Sequence, residues 1–260
     1  MTSGSKPLET RVDRLRSILK IVDDNVIVGV EEVAAMLAVS TATIRRDFAH
    51  LASQGLIARS HGRASRTDAS LEVPFSHRRA TRVIEKQRIA AVAASMVGEG
   101  AVVGVTGGTT TMAVARAIAP LPNLTVVTNA LNVGMELARH RNIRLVLTGG
   151  VCRAASFELS GPIAENTLAG YHLDLAFVGV DGIDVEAGLT THQETEALAN
   201  AALVKRASRT IVVADSSKIG HIAFVEICPL NFADLLITDD QADSRSIAQL
   251  EEAGLQVVLA

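Results

Sequence analysis

Aromatic residues and cysteines are scarce in this chain of 260 residues: tryptophan is absent, tyrosine occurs once and cysteine twice. Because Cys152 and Cys228 lie far apart and neither has the spacing of metal ligands, the sequence predicts no metal site and no cofactor, and a reducing cytoplasm is the simplest setting. No apolar run approaches the ~20 residues that span a membrane, and the first residues lack the apolar core of a signal peptide. We therefore expect a cytoplasmic protein with no membrane partner.

Charge is distributed unevenly along the chain. Residues 1–86 contain 14 Lys and Arg against 10 Asp and Glu, whereas residues 87–260 contain 11 against 18. A basic N-terminal part with a net charge of +4 is therefore joined to an acidic remainder of −7. This asymmetry indicates a polyanionic partner for the N-terminal part only.

Residues 31–66 have the pattern of a winged helix-turn-helix. A short helical pattern precedes a tight turn, and a second helix opens at Ser40, whose hydroxyl suits an N-cap. Ile44, Phe48 and Leu51 fall on one apolar face of this helix, and a β-ribbon with basic residues follows it as a wing. An ordinary pair of surface helices is the alternative, but the complete set of cap, two-faced helix and wing favours DNA binding.

The polar face of the second helix is the predicted surface for a double-stranded DNA operator. Thr43 and Arg46 are expected to contact base edges, since arginine can bind guanine through two hydrogen bonds. Phosphate contacts hold such a helix in place without reading sequence. The side chains expected to provide the cap, the phosphate contacts and the wing contacts are Ser40, Thr41, Arg45, His50, Arg59, His61 and Arg63.

Strands and helices alternate in the acidic part of the chain. Apolar runs rich in Val, Ile and Leu predict seven strands, near residues 101–106, 124–128, 144–148, 173–180, 210–214, 235–238 and 256–259. The predicted fold class is therefore α/β, with a small winged helix-turn-helix domain and a larger, mostly parallel α/β domain. We place the DNA-binding domain at 1–66, a polar linker with the basic run His77-Arg78-Arg79 at 67–87, and the larger domain at 88–260.

Small polar loops follow most of the predicted strands, at the edge where open α/β sheets bind ligands. Residues 107–111 have the sequence Gly-Gly-Thr-Thr-Thr before a helix, and their hydroxyls and free amides suit a phosphate, although a plain helix cap is the alternative. The whole set suits a polyhydroxylated anion such as a sugar phosphate. The predicted effector-binding residues are Gly107, Gly108, Thr109, Thr110, Thr111, Thr128, Asn129, Gly149, Gly150, Arg153, Asp181, Asp184, Glu194 and Lys218. For Glu194 and its neighbour Glu196, favourable placement in the first turn of a helix is an equally good explanation.

Together these motifs resemble those of the DeoR family of bacterial transcription regulators. The matching segments are VSTATIRRDFAHLASQGLIARSHG (39–62), VPFSHRR…EKQRIA (73–90), GGTTT (107–111), VTNA (127–130), GG (149–150), FVGVDGID…GLTT (177–191) and VVADSSKIG (212–220). The resemblance covers the chain from about Thr10 to Leu259. It implies a winged-helix DNA-binding domain, a sensor domain similar in fold to ribose-5-phosphate isomerase, and a phosphorylated sugar or related metabolite as effector. It also implies that the protein represses genes of carbohydrate metabolism, as most members are repressors.

The chain departs from the family pattern in two places. Many members have Asp-Ser where this chain has Thr106 and Gly107, so the carboxylate that usually contacts a sugar hydroxyl is missing from the loop. Many members also have Gly-Gly after the histidine of the wing, where this chain has Gly62 and Arg63. The threonines of the phosphate loop are retained, so we still expect phosphate binding.

A sugar-phosphate isomerase with an added DNA-binding domain is the alternative function. Asp181 and Asp184 resemble the paired aspartates of the isomerase, which serve there as acid and base. The isomerase also needs a lysine near the reacting carbons, and none occurs between Gly188 and Lys205. We therefore expect a regulator and not an enzyme.

A single winged helix contacts too few base pairs to select one site in a genome. Two heads on a two-fold axis are needed, and the N-terminal residues contain no long heptad pattern. We therefore expect the sensor domain to form a homodimer or a higher homo-oligomer.

Overall fold

The structure, a computed structural model, describes residues 11–25, 27–53, 56–60, 62–66 and 75–260. The chain divides into two compact units, Met1–Pro74 and Phe75–Ala260. Residues 75–87, which we predicted to be part of the linker, belong to the second unit in this division. This polar segment contains helices, and charged side chains of it are paired with the sheet domain.

The first unit has the three helices and the wing that the sequence predicts. Its helices are α1 (Arg11–Asp24), α2 (Val30–Met36) and α3 (Thr41–Ser53), and its strands are β1 (Ile27–Gly29), β2 (Ile57–Ser60) and β3 (Arg63–Arg66). The wing strands β2 and β3 pair antiparallel, and β1, which we did not predict, adds to β3. Ile18, Val33, Ile44 and Phe48 form its fully buried centre.

The second unit is built on a seven-stranded parallel sheet. The strands of the whole unit, including those outside the main sheet, are β4 (Val102–Val105), β5 (Leu124–Thr128), β6 (Ile143–Leu147), β7 (Val151–Cys152), β8 (Leu159–Ser160), β9 (Leu175–Val178), β10 (Gly182–Asp184), β11 (Gly188–Thr191), β12 (Thr210–Val213), β13 (Val225–Cys228), β14 (Leu235–Thr238) and β15 (Gln256–Leu259). The order in the main sheet is β15-β14-β12-β9-β4-β5-β6, with every neighbouring pair parallel. All seven predicted strands are present.

Helices cover both faces of this sheet, as buried parallel strands require. They are α4 (Phe75–Ala80), α5 (Val83–Ser95), α6 (Thr109–Ile118), α7 (Leu131–Leu137), α8 (Pro162–Ala169), α9 (Glu194–Val204) and α10 (Ser244–Glu252). Alternate strand residues face opposite layers, so Phe177 packs with the layer of α5 and α6, and Val178 packs with the layer of α8 and α9. Among the described helices, none has the length and apolarity that a membrane span needs.

Two smaller β elements were not predicted. Strands β10, β11 and β13 form an antiparallel sheet, and β7 pairs with β8 as a short hairpin. Both lie close to the loops that follow β6 and β9, and residues 153–158 connect β7 to β8. They therefore build up one edge of the main sheet.

Candidate functional site

Helix α3 begins at the predicted cap. The backbone amide of Thr43 donates to Ser40 Oγ at 3.2 Å, and the two hydroxyl oxygens lie 2.8 Å apart. One of the free amides of the first turn is thereby satisfied. The Thr43 side chain is half-buried beside the cap, so the hydroxyl that we predicted to contact a base edge is already hydrogen-bonded to Ser40.

The other predicted DNA-contacting side chains of α3 are exposed, namely Thr41, Arg45, Arg46 and His50. The apolar face of the helix is packed in the domain core. Arg63 is exposed on the wing. His61 and the side chain of Arg59 lie outside the described residues. The structure therefore brings two arginines, a threonine and a histidine to the free side of α3.

An ion pair that we did not predict holds α3 against α1. Asp47 is only 2% exposed, and Arg14 Nε donates to its Oδ2 at 2.6 Å. Arg11 lies 3.6 Å from the other carboxylate oxygen. Because a buried carboxylate is stable only when paired, the two arginines fix the position of the helix that carries Arg46. In the sequence, this ion pair could have been expected from the presence of an aspartate within the otherwise apolar face of the helix.

The loop between β4 and α6 lies at the carboxyl edge of the parallel sheet. Gly108 has a φ of 129°, a conformation that favours glycine, and α6 begins at the next residue. Thr106 Oγ1 accepts a hydrogen bond from the amide of Gly179 at 2.9 Å, which joins the ends of β4 and β9. Thr111 is fully buried, and its hydroxyl has no hydrogen-bond partner among the described residues. An unsatisfied hydroxyl beside free helix amides is suited to an anion.

A buried polar cluster adjoins this loop. Asn129 Nδ2 donates to Glu158 Oε2 at 3.2 Å and to Asn200 Oδ1 at 3.0 Å, and all three side chains are buried. The side-chain oxygen of Asn129, Oδ1, has no partner among the described residues. Asn129 is therefore placed where the sequence predicts, whereas Glu158 and Asn200 were not predicted.

The Glu158 carboxyl group lies directly over Gly107, where an added Cβ atom would overlap it. Burial raises the pKa of Glu158 to about 8, and the nearby Glu196 carboxylate adds to this rise. The group is therefore mostly protonated at neutral pH and offers both a donor and an acceptor. Glu158 therefore supplies a carboxyl group at this loop, although this chain has Thr106 where many family members have an aspartate.

Arg153 and Glu196 form a second charged pair at the same edge. Arg153 Nη1 donates to Glu196 Oε1 at 3.1 Å, and the Ser156 hydroxyl donates to the same oxygen at 2.5 Å. Glu196 is 3% exposed, whereas Glu194 is exposed on the other side of α9. The structure therefore places Glu196 in the cluster in place of Glu194, because the two residues are one half-turn apart on the helix.

Asp181 follows β9 and is surrounded by donors. Arg78 Nη1 and Lys218 Nζ lie 3.4 Å and 3.6 Å from its Oδ1, and the Thr191 hydroxyl donates to its Oδ2 at 3.1 Å. Burial alone would raise the pKa of Asp181, but the charges of Lys218 and Arg78 outweigh burial and hold the pKa below its usual value. Asp181 and Lys218, both predicted, are thus brought together.

Other predicted residues serve the local structure. Asp184 Oδ1 accepts from the amides of Glu186 and Ala187, so this carboxylate caps the β10–β11 turn and is not paired with Asp181. Thr128 donates to the carbonyl of Val105 at 2.6 Å. Gly149 and Gly150 have φ values of 72° and 112°. An added Cβ at position 150 would overlap the Ser160 carbonyl, so the glycine is needed where the end of β6 meets β8.

Basic residues at and near the start of α5 complete this edge, and we assigned none of them to the site. Arg82 Nη1 donates to Ser216 Oγ at 2.9 Å, and its Nε lies 3.7 Å from an Asp215 oxygen. Lys86 Nζ lies 3.8 Å from the other Asp215 oxygen. The available signal was the matching segment at residues 73–90, which we interpreted as a linker because it is polar and contains Pro74. Within the described part of the chain, no group of three or more His, Cys, Asp or Glu side chains is placed to hold a metal ion.

A winged-helix domain followed by an α/β domain with a polar, anion-suited edge defines the class of ligand-responsive DNA-binding regulators. Two family models match the chain: "DeoR-like helix-turn-helix domain" at residues 14–70 and "DeoR C terminal sensor domain" at residues 81–240. The chain belongs to the DeoR family of transcriptional regulators. The family decides between the two functions considered from the sequence, in favour of a regulator and against an isomerase-like enzyme.

Curated relatives match almost the whole chain. The HTH-type transcriptional regulator GlpR of Haloferax volcanii is 38% identical over 95% of this chain and 96% of its own length. The putative aga operon transcriptional repressor of Escherichia coli O157:H7 is 34% identical over 99% and 97%. The glycerol-3-phosphate regulon repressor of Escherichia coli K12 is 33% identical over 88% and 91%.

Solved structures align more distantly. The full-length sorbitol operon regulator SorC from Klebsiella pneumoniae aligns over 93% of this chain and 99% of its own, with 12% identity and a TM-score of 0.43. Ribose 5-phosphate isomerase A from Methanocaldococcus jannaschii aligns over 51% of this chain and 52% of its own, with 21% identity and a TM-score of 0.38.

Proposed function

We propose that this protein is a cytoplasmic repressor of carbohydrate metabolism genes that a phosphorylated sugar or related metabolite releases from its operator. The aga operon and glycerol-3-phosphate regulon relatives are both named repressors, which supports this sign of regulation. The observation that carries the effector class is Thr111, whose buried hydroxyl lacks a described partner at the start of α6. A phosphate at this loop would satisfy that hydroxyl and the free amides.

The DNA contacts are assigned to α3 and the wing. Arg46 is the proposed base-edge contact, because it is exposed on the helix that a winged helix-turn-helix places in the major groove. Thr41, Arg45 and His50 hold phosphates, and the wing residues contact the adjacent backbone. Thr43 is retained as a base contact through its methyl group, since its hydroxyl is bound to Ser40.

The effector contacts are divided between two chemical tasks. The phosphate lies on residues 107–111, with Lys218 supplying positive charge. Asn129, Glu158 and Asp181 are proposed to bind the sugar hydroxyls, since they offer buried amide and carboxyl oxygens next to the loop. Effector binding then favours a sensor arrangement in which paired heads no longer match the spacing of the two operator half-sites.

The DNA assignment is tested with Arg46→Ala and a matched control, Arg16→Ala. Both arginines are exposed in the same unit, but Arg16 lies on α1. Operator duplexes are first selected from random DNA with the wild-type protein, and affinities are then measured at physiological salt. Arg46→Ala should weaken specific binding by about 1–3 kcal/mol per half-site, and Arg16→Ala should not. Equal footprints for Arg46→Ala and wild type would refute the assignment.

The effector class is tested with a panel of sugar phosphates and their unphosphorylated sugars. A ligand at about 100 times its dissociation constant stabilises the fold by roughly 2.7 kcal/mol, so the true effector raises the melting temperature clearly. The same compound should release the operator duplex. Stabilisation by an unphosphorylated sugar alone would contradict the phosphate site.

A further inference from the structure

Ala42 lies at the centre of the free face of α3, although the function proposed above gives it no part. The buried residues of this helix are Ile44, Asp47, Phe48 and Leu51. Successive side chains of a helix are turned by about 100°, so position 42 points almost directly away from this buried group, whereas Arg45 lies to one side. Ala42 is exposed. Its methyl group is therefore directed at the surface against which α3 binds.

DNA is the ligand of this helix, because residues 14–70 match the DeoR-like helix-turn-helix domain. In such domains the N-terminal residues of the second helix contact base edges in the major groove. Ala42 belongs to the first turn of α3, which begins at Thr41. Its place in the first turn and at the centre of the free face brings Ala42 to the bases, whereas side chains at the margins of this face meet phosphates.

The side chains beside Ala42 leave an apolar surface at this end of the helix. The Thr43 hydroxyl lies 2.8 Å from Ser40 Oγ, and the Thr43 side chain is half-buried. Arg46 is exposed one turn further along. Between the cap and this arginine, Ala42 presents a methyl group and no polar atom. The apolar group that a base pair offers in the major groove is the C5-methyl group of thymine, and alanine is suited to contact it.

We propose that Ala42 is a specificity-determining residue, whose methyl group contacts the C5-methyl group of a thymine close to the guanine that Arg46 binds. The proposal rests on the DNA assignment made above, in which Arg46 contacts a base edge. The two residues are about 6 Å apart along the helix axis, and successive base pairs are about 3.4 Å apart. The thymine should therefore lie within two base pairs of the guanine.

Deoxyuridine is the probe for this contact, because it differs from thymidine only by the missing methyl group. Operator duplexes are selected from random DNA with the full-length wild-type protein, and each thymine within two base pairs of the guanine is then replaced singly. Loss of one buried methyl contact should weaken wild-type binding about three- to fivefold for each half-site. Ala42→Gly should bind the thymine and deoxyuridine duplexes equally.

Thr43→Ser is the matched control for this experiment. It removes a methyl group one residue away and keeps the hydroxyl that lies beside Ser40. Its ratio of affinities for the two duplexes should be that of wild type. Because only this ratio is compared, a general effect of Ala42→Gly on the stability of α3 applies to both duplexes and cancels. If Thr43→Ser abolishes the sensitivity to the methyl group and Ala42→Gly retains it, the inference is wrong.

A passive role for Ala42, as a small side chain that allows α3 to approach the groove, predicts a different result. Wild type and Ala42→Gly would then lose the same affinity when the DNA methyl group is removed, which would overturn the proposal. A second selection from random DNA gives an independent readout. Ala42→Gly should still enrich the guanine but no longer the thymine, and continued enrichment of the thymine would contradict the contact.

Failure of this inference is distinguishable from failure of the DNA assignment. If Arg46→Ala and wild type select the same duplexes, Arg46 is not a base contact, and the assignment and the inference both fail. If Arg46→Ala no longer selects the guanine, but wild type binds the thymine and deoxyuridine duplexes equally, the assignment stands. Only the role of Ala42 is then overturned.

Discussion

The buried carboxyl group of Glu158 makes the stability of the sensor domain depend on pH in an unusual direction. Its pKa rises from the usual 4.5 to about 8 because the side chain is buried and lies near Glu196. Between these two values the folded protein binds more protons than the unfolded chain, so stability falls as the pH rises. This is the reverse of the behaviour of a carboxylate that is paired with a cation.

The size of this loss of stability follows from the interval between the two pKa values. Each pH unit corresponds to about 1.4 kcal/mol, so Glu158 contributes a loss on the order of several kcal/mol between pH 4.5 and pH 8. Glu158→Gln keeps the shape and an amide oxygen for Asn129 but cannot ionise. The two proteins should therefore be similarly stable at pH 5, and the variant should be the more stable at pH 8.

The difference in the free energy of unfolding is measured by urea unfolding at several pH values, with the fluorescence of Tyr171 as the signal. Tyr171 is the only tyrosine in a chain without tryptophan, and it packs against the core of the second unit, so the signal reports on the sensor domain. The control is Glu136→Gln. A hydrogen bond from Arg116 lowers the pKa of Glu136, so its contribution is lost only as the pH falls below 4.5. The control should run parallel to wild type between pH 5 and pH 8.

If the free energies of unfolding of wild type and Glu158→Gln differ by the same amount across this range, the reasoning is refuted, because Glu158 would then titrate as an exposed carboxyl group does. A change in the slope of the urea dependence would instead show that the substitution altered the surface exposed on unfolding. Equal slopes with diverging midpoints are the expected result.

Two further predictions concern the effector response and the assembly. Replacing Thr109 and Thr110 together by valine should abolish operator release by the effector while leaving operator binding unchanged, because two hydroxyl donors are lost from the loop. Release at the wild-type effector concentration would place the phosphate site elsewhere. The control is Thr195→Val, at an exposed position on α9. A fragment from Phe75 to Ala260 should be a dimer or larger by light scattering, and a fragment ending at Arg66 should be monomeric and bind operator weakly. A monomeric sensor fragment, or a self-associating head, would contradict this arrangement.

The elements that could be predicted from sequence are those with a repeated physical pattern. The parallel strands are continuous apolar runs because both faces of the sheet are covered, and such runs are visible without knowing what covers them. Ser40 was recognisable as a cap because the residue type and the start of the amphipathic pattern coincide. Strand β1 has three residues and no such pattern, and its pairing with β3 depends on the tertiary structure.

The candidate site was predictable only in part, for a related reason. Loops after strands were located because the sheet topology brings them together. Glu158 could not be located this way, since it lies in the connection of an unpredicted hairpin and reaches the phosphate loop only through the fold. Arg78 belongs to a polar segment that resembles a solvated linker, and its partner Asp181 is distant in sequence. Charge alone does not distinguish a solvated arginine from a paired one.

The contact between Gly107 and Glu158 links the possible changes at the two positions. No side chain fits at position 107 while the glutamate lies over it, because even a single carbon atom would overlap the carboxyl group. A serine or alanine at 107 therefore requires that the Glu158 side chain moves, that a shorter residue stands at 158, or that the hairpin is displaced. A substitution at position 107 thus also changes where the buried carboxyl group of Glu158 lies.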